Sequence, residues 1–274
     1  MELICLKLSG SLITEKSKKN TAKEEIIRRL AREINELMEN FNFIIVHGGG
    51  SFGHAAAKKY KIHEGLNKGN KEQVIGFCET QEAMQNLNKI FVDIFLEEKV
   101  PVFPVQLSSS VILKSNKINK FSINSLEVMK KLIELNVIPV AYGVPCVDVE
   151  NGIGILSGDE ILVWLAKQLK AGRIISGSIT EVLDDEGTII PGINEKNIEK
   201  IKFYNAENDV TGGMKRKVFE LLKFAAESGI ETQVVNLNEK KLRDVLEGRV
   251  YGTVIKNISV NTDNIYNIDN ENES

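Results

Sequence analysis

Short runs that are apolar almost throughout alternate with helix-patterned stretches along this chain of 274 residues. That alternation limits the possible folds more than any other feature. The runs are Leu3–Leu8, Phe43–His47, Pro101–Val105, Val137–Tyr142, Arg173–Ser176, Thr232–Asn236 and Thr253–Lys256. Continuous apolar character marks strands covered on both faces, as in a parallel sheet. Between them, Thr21-x-x-Glu24 reads as a capping box opening a helix whose Leu30, Ile34, Leu37 and Phe41 form one apolar stripe. Further helical patterns cover 71–98, 125–135, 157–170 and 213–228. The segment Ile179–Gly192, with Asp184-Asp185-Glu186-Gly187 at its centre, predicts a β-hairpin. The whole pattern predicts an α/β chain with a largely parallel sheet sandwiched by helices. No internal repeat or Pro- or Ser-rich linker divides it, so residues 1–258 read as one domain and 259–274 as a polar, frayed tail.

Composition narrows the function classes. The chain is 42% hydrophobic and 27% charged, enough for a sizeable core. Lys plus Arg is 35 against 38 for Asp plus Glu, a net charge of −3 that excludes a nucleic-acid binder acting through bulk basic charge. No apolar run approaches the length of a membrane span, and the stretch from Met1 to Lys7 is too short for a signal peptide. Cys5, Cys78 and Cys146 are scattered without a CxxC pair, which predicts reduced thiols and a soluble, cytoplasmic protein.

The chemistry concentrates where apolar runs end. Phe43-Ile44-Ile45-Val46 empties into His47-Gly48-Gly49-Gly50-Ser51-Phe52-Gly53-His54, then a helix-compatible stretch. Glycines at such a junction let backbone N–H groups approach an anion, and the following helix start adds its partial positive charge. Lys7 interrupts the first strand, where an ammonium is costly unless it meets water or an anion, and Ser9-Gly10-Ser11 and Lys16 follow. Ser157-Gly158-Asp159-Glu160 predicts a capping box in which Ser157 and Glu160 reciprocate, leaving Gly158 and Asp159 free for other work. Asp209-Val210-Thr211-Gly212-Gly213 leads into Met214-Lys215-Arg216-Lys217, a cationic first turn that opposes the helix dipole unless a polyanion binds there. Neither GxxxxGK[ST] nor GxGxxG is present. Together these junctions predict a phosphate-rich site.

In this order the motifs resemble those of the amino acid kinase superfamily over about residues 3 to 257, and Gly-Ser-Phe-Gly-His54 resembles its isopentenyl phosphate kinase branch, with the fosfomycin resistance kinases close behind. The resemblance implies an open αβα sandwich with an acceptor half at about 1–156, a nucleotide half at about 157–258, and a homodimer. It implies ATP and Mg²⁺ as cofactors and a small-molecule phosphate as the other substrate. On that likeness Lys7 and Lys16 contact the transferring phosphoryl group and Asp159 orients them. Ser9, Gly10, Ser11, Gly50, Ser178, Gly213 and Lys217 border the nucleotide. Gly49, His54 and Gly158 hold the acceptor phosphate, with Met84 and Ile155 along its tail. His54 is expected to be a protonated donor, its pKa raised by an anionic partner. Two departures stand out. Ile179-Thr180-Glu181-Val182 occupies the place where many relatives have Thr-Asp-Val-Asp-Gly, beside the nucleotide, and Gly143-Val144-Pro145 the place where many have Gly-Asp. A kinase for isopentenyl phosphate, one for fosfomycin or another small phosphate or phosphonate, and a non-catalytic ligand-binding homologue all remain open at this point.

Overall fold

The apolar runs pair side by side because their backbones can be satisfied only in a ladder once both faces are covered by helices. A computed structural model describes residues 1–204, 213–249 and 252–256. Their elements, in chain order, are β1 (Glu2–Leu8), α1 (Gly10–Ile13), α2 (Glu24–Leu37), β2 (Phe41–His47), α3 (Gly50–Lys59), α4 (Lys71–Glu97) and β3 (Val102–Pro104). There follow β4 (Val111–Lys114), β5 (Lys117–Phe121), α5 (Ile123–Glu134), β6 (Ile138–Tyr142), β7 (Val144–Asp148), β8 (Gly152–Leu156) and α6 (Gly158–Gln168). The chain continues with β9 (Arg173–Ser178), β10 (Gly192–Ile193), α7 (Gly213–Ser228), β11 (Glu231–Asn236), α8 (Leu242–Leu246) and β12 (Thr253–Ile255). All seven expected strands are present.

The main sheet runs β10-β12-β11-β9-β1-β2-β6-β3, and every pair in it is parallel except β11 with β12. Side chains alternate across it. Ile4, Leu6 and Leu8 of β1 join Leu30 and Ile34 of α2 and Phe91 and Phe95 of α4 in one core. Cys5 of β1 and Ile44 and Val46 of β2 join Ile161, Leu162 and Leu165 of α6 in the core on the opposite face. Each such fully buried side chain contributes about 1.5–3 kcal/mol. The same alternation puts Lys7 on the α6 face, one residue before β1 ends.

A smaller sheet of order β5-β4-β7-β8 was not foreseen. Its turns are clamped by buried Asp148, whose carboxylate accepts N–H bonds from Asn116 at 2.7 Å, Glu150 and Asn151 at 2.9 Å each, and Ser115 at 3.3 Å.

Three local expectations need correction. The N-cap of α2 is Lys23, which makes no side-chain cap bond, and Thr21 Oγ1 donates instead to the Lys19 carbonyl. Thr21 is unavailable as a cap because its own carbonyl accepts from Glu15 N, beside a Thr14–Ala22 bridge. Phe41 belongs to β2 and not to the α2 stripe. At 179–192 the hairpin is reduced to a Leu183–Ile189 bridge closed by an Asp184 turn. Gly212 and the residues 205–211 before it, and the tail from 257 onward, lie outside the described residues.

Candidate active site

Parallel pairing brings the carboxyl ends of three strands together: Leu8 of β1 lies opposite His47 of β2 and Gly177 of β9. In open α/β sheets ligands bind beyond such ends. Here β1 runs into α1, β2 into α3, and β8 into α6, so Gly10, Gly50 and Gly158 are the first residues of three helices that border one cleft. The first N–H groups of each have no intrahelical acceptor.

Glycine is required where these loops touch. A Cβ on Gly10 would lie 2.2 Å from Gly50 N, and one on Gly48 2.7 Å from Gly10 N. Gly50 also has φ +47, and a Cβ there would fall 2.0 Å from Thr14 Oγ1. The two glycine loops are therefore in backbone contact, with no side chain between them.

The cleft has a volume of about 830 Å³, within the range of ligand sites. Lys7, Lys16, Lys18, Lys19, Lys58, Arg216 and Lys217 line it, and Asp159 is the one carboxylate among its described lining residues. Lys7, 6% exposed, forms an ion pair with Asp159 in the first turn of α6, which answers the cost of a lysine inside a strand. Burial pushes the Asp159 carboxyl up, but Lys7, Lys217 and Arg216 outweigh it and hold the group below its ordinary pKa. Lys217 of α7, 8% exposed, is pushed down to about 8, first by burial and then by Lys7, against the pull of Asp159. Two ammonium groups and one carboxylate thus share a confined space with charge to spare, a natural seat for a polyanion.

The two histidines of the glycine loop differ in role. His47 is fully buried, with Nδ1 3.2 Å from the Gly48 carbonyl and Nε2 3.2 Å from Asn88 Oδ1, and its ring stacks on Phe91 and Tyr142. Burial takes its pKa down to about 4, so it is a neutral structural group. His54, one turn into α3, opens onto the cleft. Its pKa is lowered by the protein around it and by Lys7, so while no anion is bound the imidazole is neutral; the expected rise belongs to the state with an anionic partner. A neutral imidazole still donates one hydrogen bond.

The remaining expected residues gather around the same space. Ser9, Gly10, Ser11, Gly49, Gly50, His54, Gly158, Ser178, Met214 and Lys217 all border it. Gly213 opens α7, four residues before Lys217. Ser9 Oγ caps α1 by accepting from Leu12 N at 3.3 Å. Ala57, Met84, Val144, Pro145 and Ile155 make an apolar wall, with Thr80 beside it. Met84 is 2% exposed and is seated against glycine: a Cβ on Gly53 would approach its sulfur to 2.5 Å. Ser157 Oγ does cap Glu160 N at 3.1 Å, but the Glu160 carboxylate accepts from Ile118 N at 2.6 Å and does not return the bond. It thereby ties α6 to β5. Glu181, within the departure after β9, is buried and pairs with Lys240 at 2.6 Å.

Thr14, Lys18, Lys19, Ser51, Lys58 and Arg216 were not singled out from the sequence as site residues. Lys58 carried a signal, standing four residues after His54 and so on the same helical face. No group of three or more His, Cys, Asp or Glu side chains suited to a metal ion occurs among the described residues. No described helix is long and apolar enough to cross a membrane.

Comparison with known proteins gives consistent results. The model of the amino acid kinase family matches residues 2–236. The isopentenyl phosphate kinase of Methanocaldococcus jannaschii is 35% identical over 228 residues, covering 79% of this chain and 85% of that protein. That of Methanothermobacter thermautotrophicus is 29% identical, covering 85% and 91%. A crystal structure of an isopentenyl phosphate kinase superposes with a TM-score of 0.75 at 29% identity, over 93% of this chain and 100% of the other. Carbamate kinase from Giardia lamblia, at 16% identity and a TM-score of 0.63, shares the fold. The chain therefore belongs to the amino acid kinase family, and within it is similar to the isopentenyl phosphate kinases.

Proposed function

We propose that this protein is an ATP-dependent kinase that transfers a phosphoryl group to the phosphate of isopentenyl phosphate. The observation that carries the reading is the charge inventory of the cleft: among its described lining residues seven cationic side chains surround one carboxylate, and that carboxylate is already engaged by Lys7. An alcohol acceptor calls for a general base beside it, whereas a phosphate is ionised near neutral pH and needs only relief from repulsion by the donor. Lys7 and Lys16 stabilise the transferring phosphoryl group, Asp159 fixes the Lys7 ammonium, and Lys217 takes the nucleotide phosphates. His54 and the amides of Gly49 and Gly158 hold the acceptor phosphate. The wall of Ala57, Met84, Val144, Pro145 and Ile155 suits a short hydrocarbon tail.

Magnesium fits this donor set only as a companion of the nucleotide. With a single carboxylate among the described lining residues, its ligands there would be ATP oxygens and water, the usual arrangement for this ion, and it would offset charge on those phosphates. The same reading includes a homodimer, for which the exposed Val128 on α5 and Leu135 just after its end offer an apolar surface. Sedimentation at micromolar concentration tests it.

Activity is tested by steady-state assay with isopentenyl phosphate, dimethylallyl phosphate, fosfomycin and unphosphorylated isopentenol. The highest kcat/KM is expected for isopentenyl phosphate, with isopentenol inert. Preference for fosfomycin would reassign the acceptor to a phosphonate. Tight binding of ATP and acceptor without turnover would make the chain a ligand-binding homologue.

A further inference from the structure

The chain between α1 and α2 folds back on itself as a narrow hairpin: Glu15 N donates to the Thr21 carbonyl at 2.9 Å, Lys23 N to the Ile13 carbonyl at 2.8 Å, and Thr14 bridges Ala22. This hairpin carries Lys16, Lys18 and Lys19 into the cleft. Its base is fastened by one hydroxyl. Thr14 Oγ1, fully buried, donates to the Gly10 carbonyl at 2.7 Å and accepts from Ser51 N at 3.0 Å. Gly10 is the first residue of α1, just beyond the end of β1, and Ser51 is the second residue of α3, the helix that presents His54. The Ser51 carbonyl accepts from Asn20 N at 3.5 Å, and the Ser51 hydroxyl reaches the Thr21 carbonyl at the same distance. Those bonds are long, so the Thr14 hydroxyl is the short, buried member of the set. The positive φ of Gly50 is the backbone conformation that leaves room for it.

We infer that Thr14 is a positioning residue: its hydroxyl locks the Lys16 hairpin to the His54 helix, so that the cation serving the transferring group and the donor holding the acceptor keep a fixed separation. The inference rests on the kinase reading above for the roles of Lys16 and His54, while the latch itself can be tested without activity. A displacement of about 1 Å in such a constellation is enough to cost up to a hundredfold in rate, because transfer needs donor and acceptor oxygens in line.

Thr14→Val keeps the volume and removes the hydroxyl, and Thr14→Ser keeps the hydroxyl. Thr14→Ala replaces the valine variant should that fail to fold. Thr14→Val is expected to lower kcat by about tenfold or more, with KM for either substrate changed by less than about threefold, and Thr14→Ser to restore most of the rate. In a Lys16→Ala background the valine substitution should cost less than about threefold, since both changes then remove the same interaction. Hydrogen exchange of the peptide containing the Ser51 amide should quicken in Thr14→Val and not in Thr14→Ser. Unchanged exchange overturns the latch whatever the activity. A kcat within about twofold of wild type, or an equal loss with and without Lys16, overturns its positioning role. Quickened exchange in a protein whose wild type phosphorylates no phosphate acceptor would uphold the latch and reject the kinase reading.

Discussion

His54 and Lys217 show how a residue's value to function is set by what surrounds it. The His54 imidazole is neutral in the ligand-free cleft because burial and Lys7 disfavour its charge. An arriving phosphate reverses that balance, so acceptor binding should take up a proton on the acidic side of neutrality, measurable by calorimetry in buffers of different ionisation enthalpy. His54→Ala should raise KM for the acceptor and lower kcat, His54→Gln should lose less, and ATP affinity should stay within about twofold in both. Lys217 carries the opposite liability. With its folded pKa near 8, below that of an unfolded lysine, the unfolded chain binds more protons from there up to the ordinary lysine value. Stability from this group therefore rises with pH across that window, and below it the buried ammonium costs stability. A shift of this size corresponds to roughly 3 kcal/mol. Lys217→Met should accordingly raise the Tm of the ligand-free protein at pH 7 while abolishing its further rise with ATP. A lower Tm would show that the ammonium is better paired than its surroundings indicate.

At the level of elements, the small sheet β5-β4-β7-β8 supplies much of the cleft's apolar lining, since β7 and β8 carry Val144, Pro145 and Ile155. Its β7 and β8 are anchored in the core through Val144, Cys146 and Leu156, while its turns depend on Asp148. Burial alone would raise that carboxyl, but four backbone N–H groups hold its pKa below the ordinary value. The stability it contributes is thus present above the unfolded aspartate pKa and lost as pH falls through the lower, folded one. Asp148→Ala should cost about 2–4 kcal/mol and weaken acceptor binding more than ATP binding. Equal losses for both ligands would mean that the sheet supports the whole cleft. This sheet was also what the sequence concealed. The strand β5 contains no buried residue, and β4 buries only Val111 and Leu113. By contrast β1, β2 and β9 are buried almost throughout, and their apolar runs announced them. Likewise Lys7 was legible because an ammonium is out of place in an apolar strand, and Asp159 because the motif that holds it resembles the family's. Thr14 was not: a threonine ending a four-residue helix has no sequence signature, and its role exists only once the hairpin and α3 meet.

For the molecule as a whole, charge is distributed against its sum. The chain carries a net charge of −3, yet the described residues lining its cleft include seven cations and one acid. Low-dielectric walls focus such a field on incoming phosphates, so kcat/KM for the acceptor should fall steeply between about 50 and 300 mM salt. Neutralising Lys18, Lys19 and Lys58 together should flatten that dependence more than it lowers kcat, and a salt response unchanged in the triple variant would place the steering charges deeper in the cleft. The backbone contact between Gly10 and Gly50 bears on a different matter, the exchange of parts between relatives. Because these loops meet without an intervening side chain, a transplanted α3 would carry its own loop geometry into a neighbour with no room to yield. The smallest interchangeable cassette is then the whole stretch from Glu2 to Lys59, hairpin included, and chimeras joined inside it should fold poorly where those joined after it succeed.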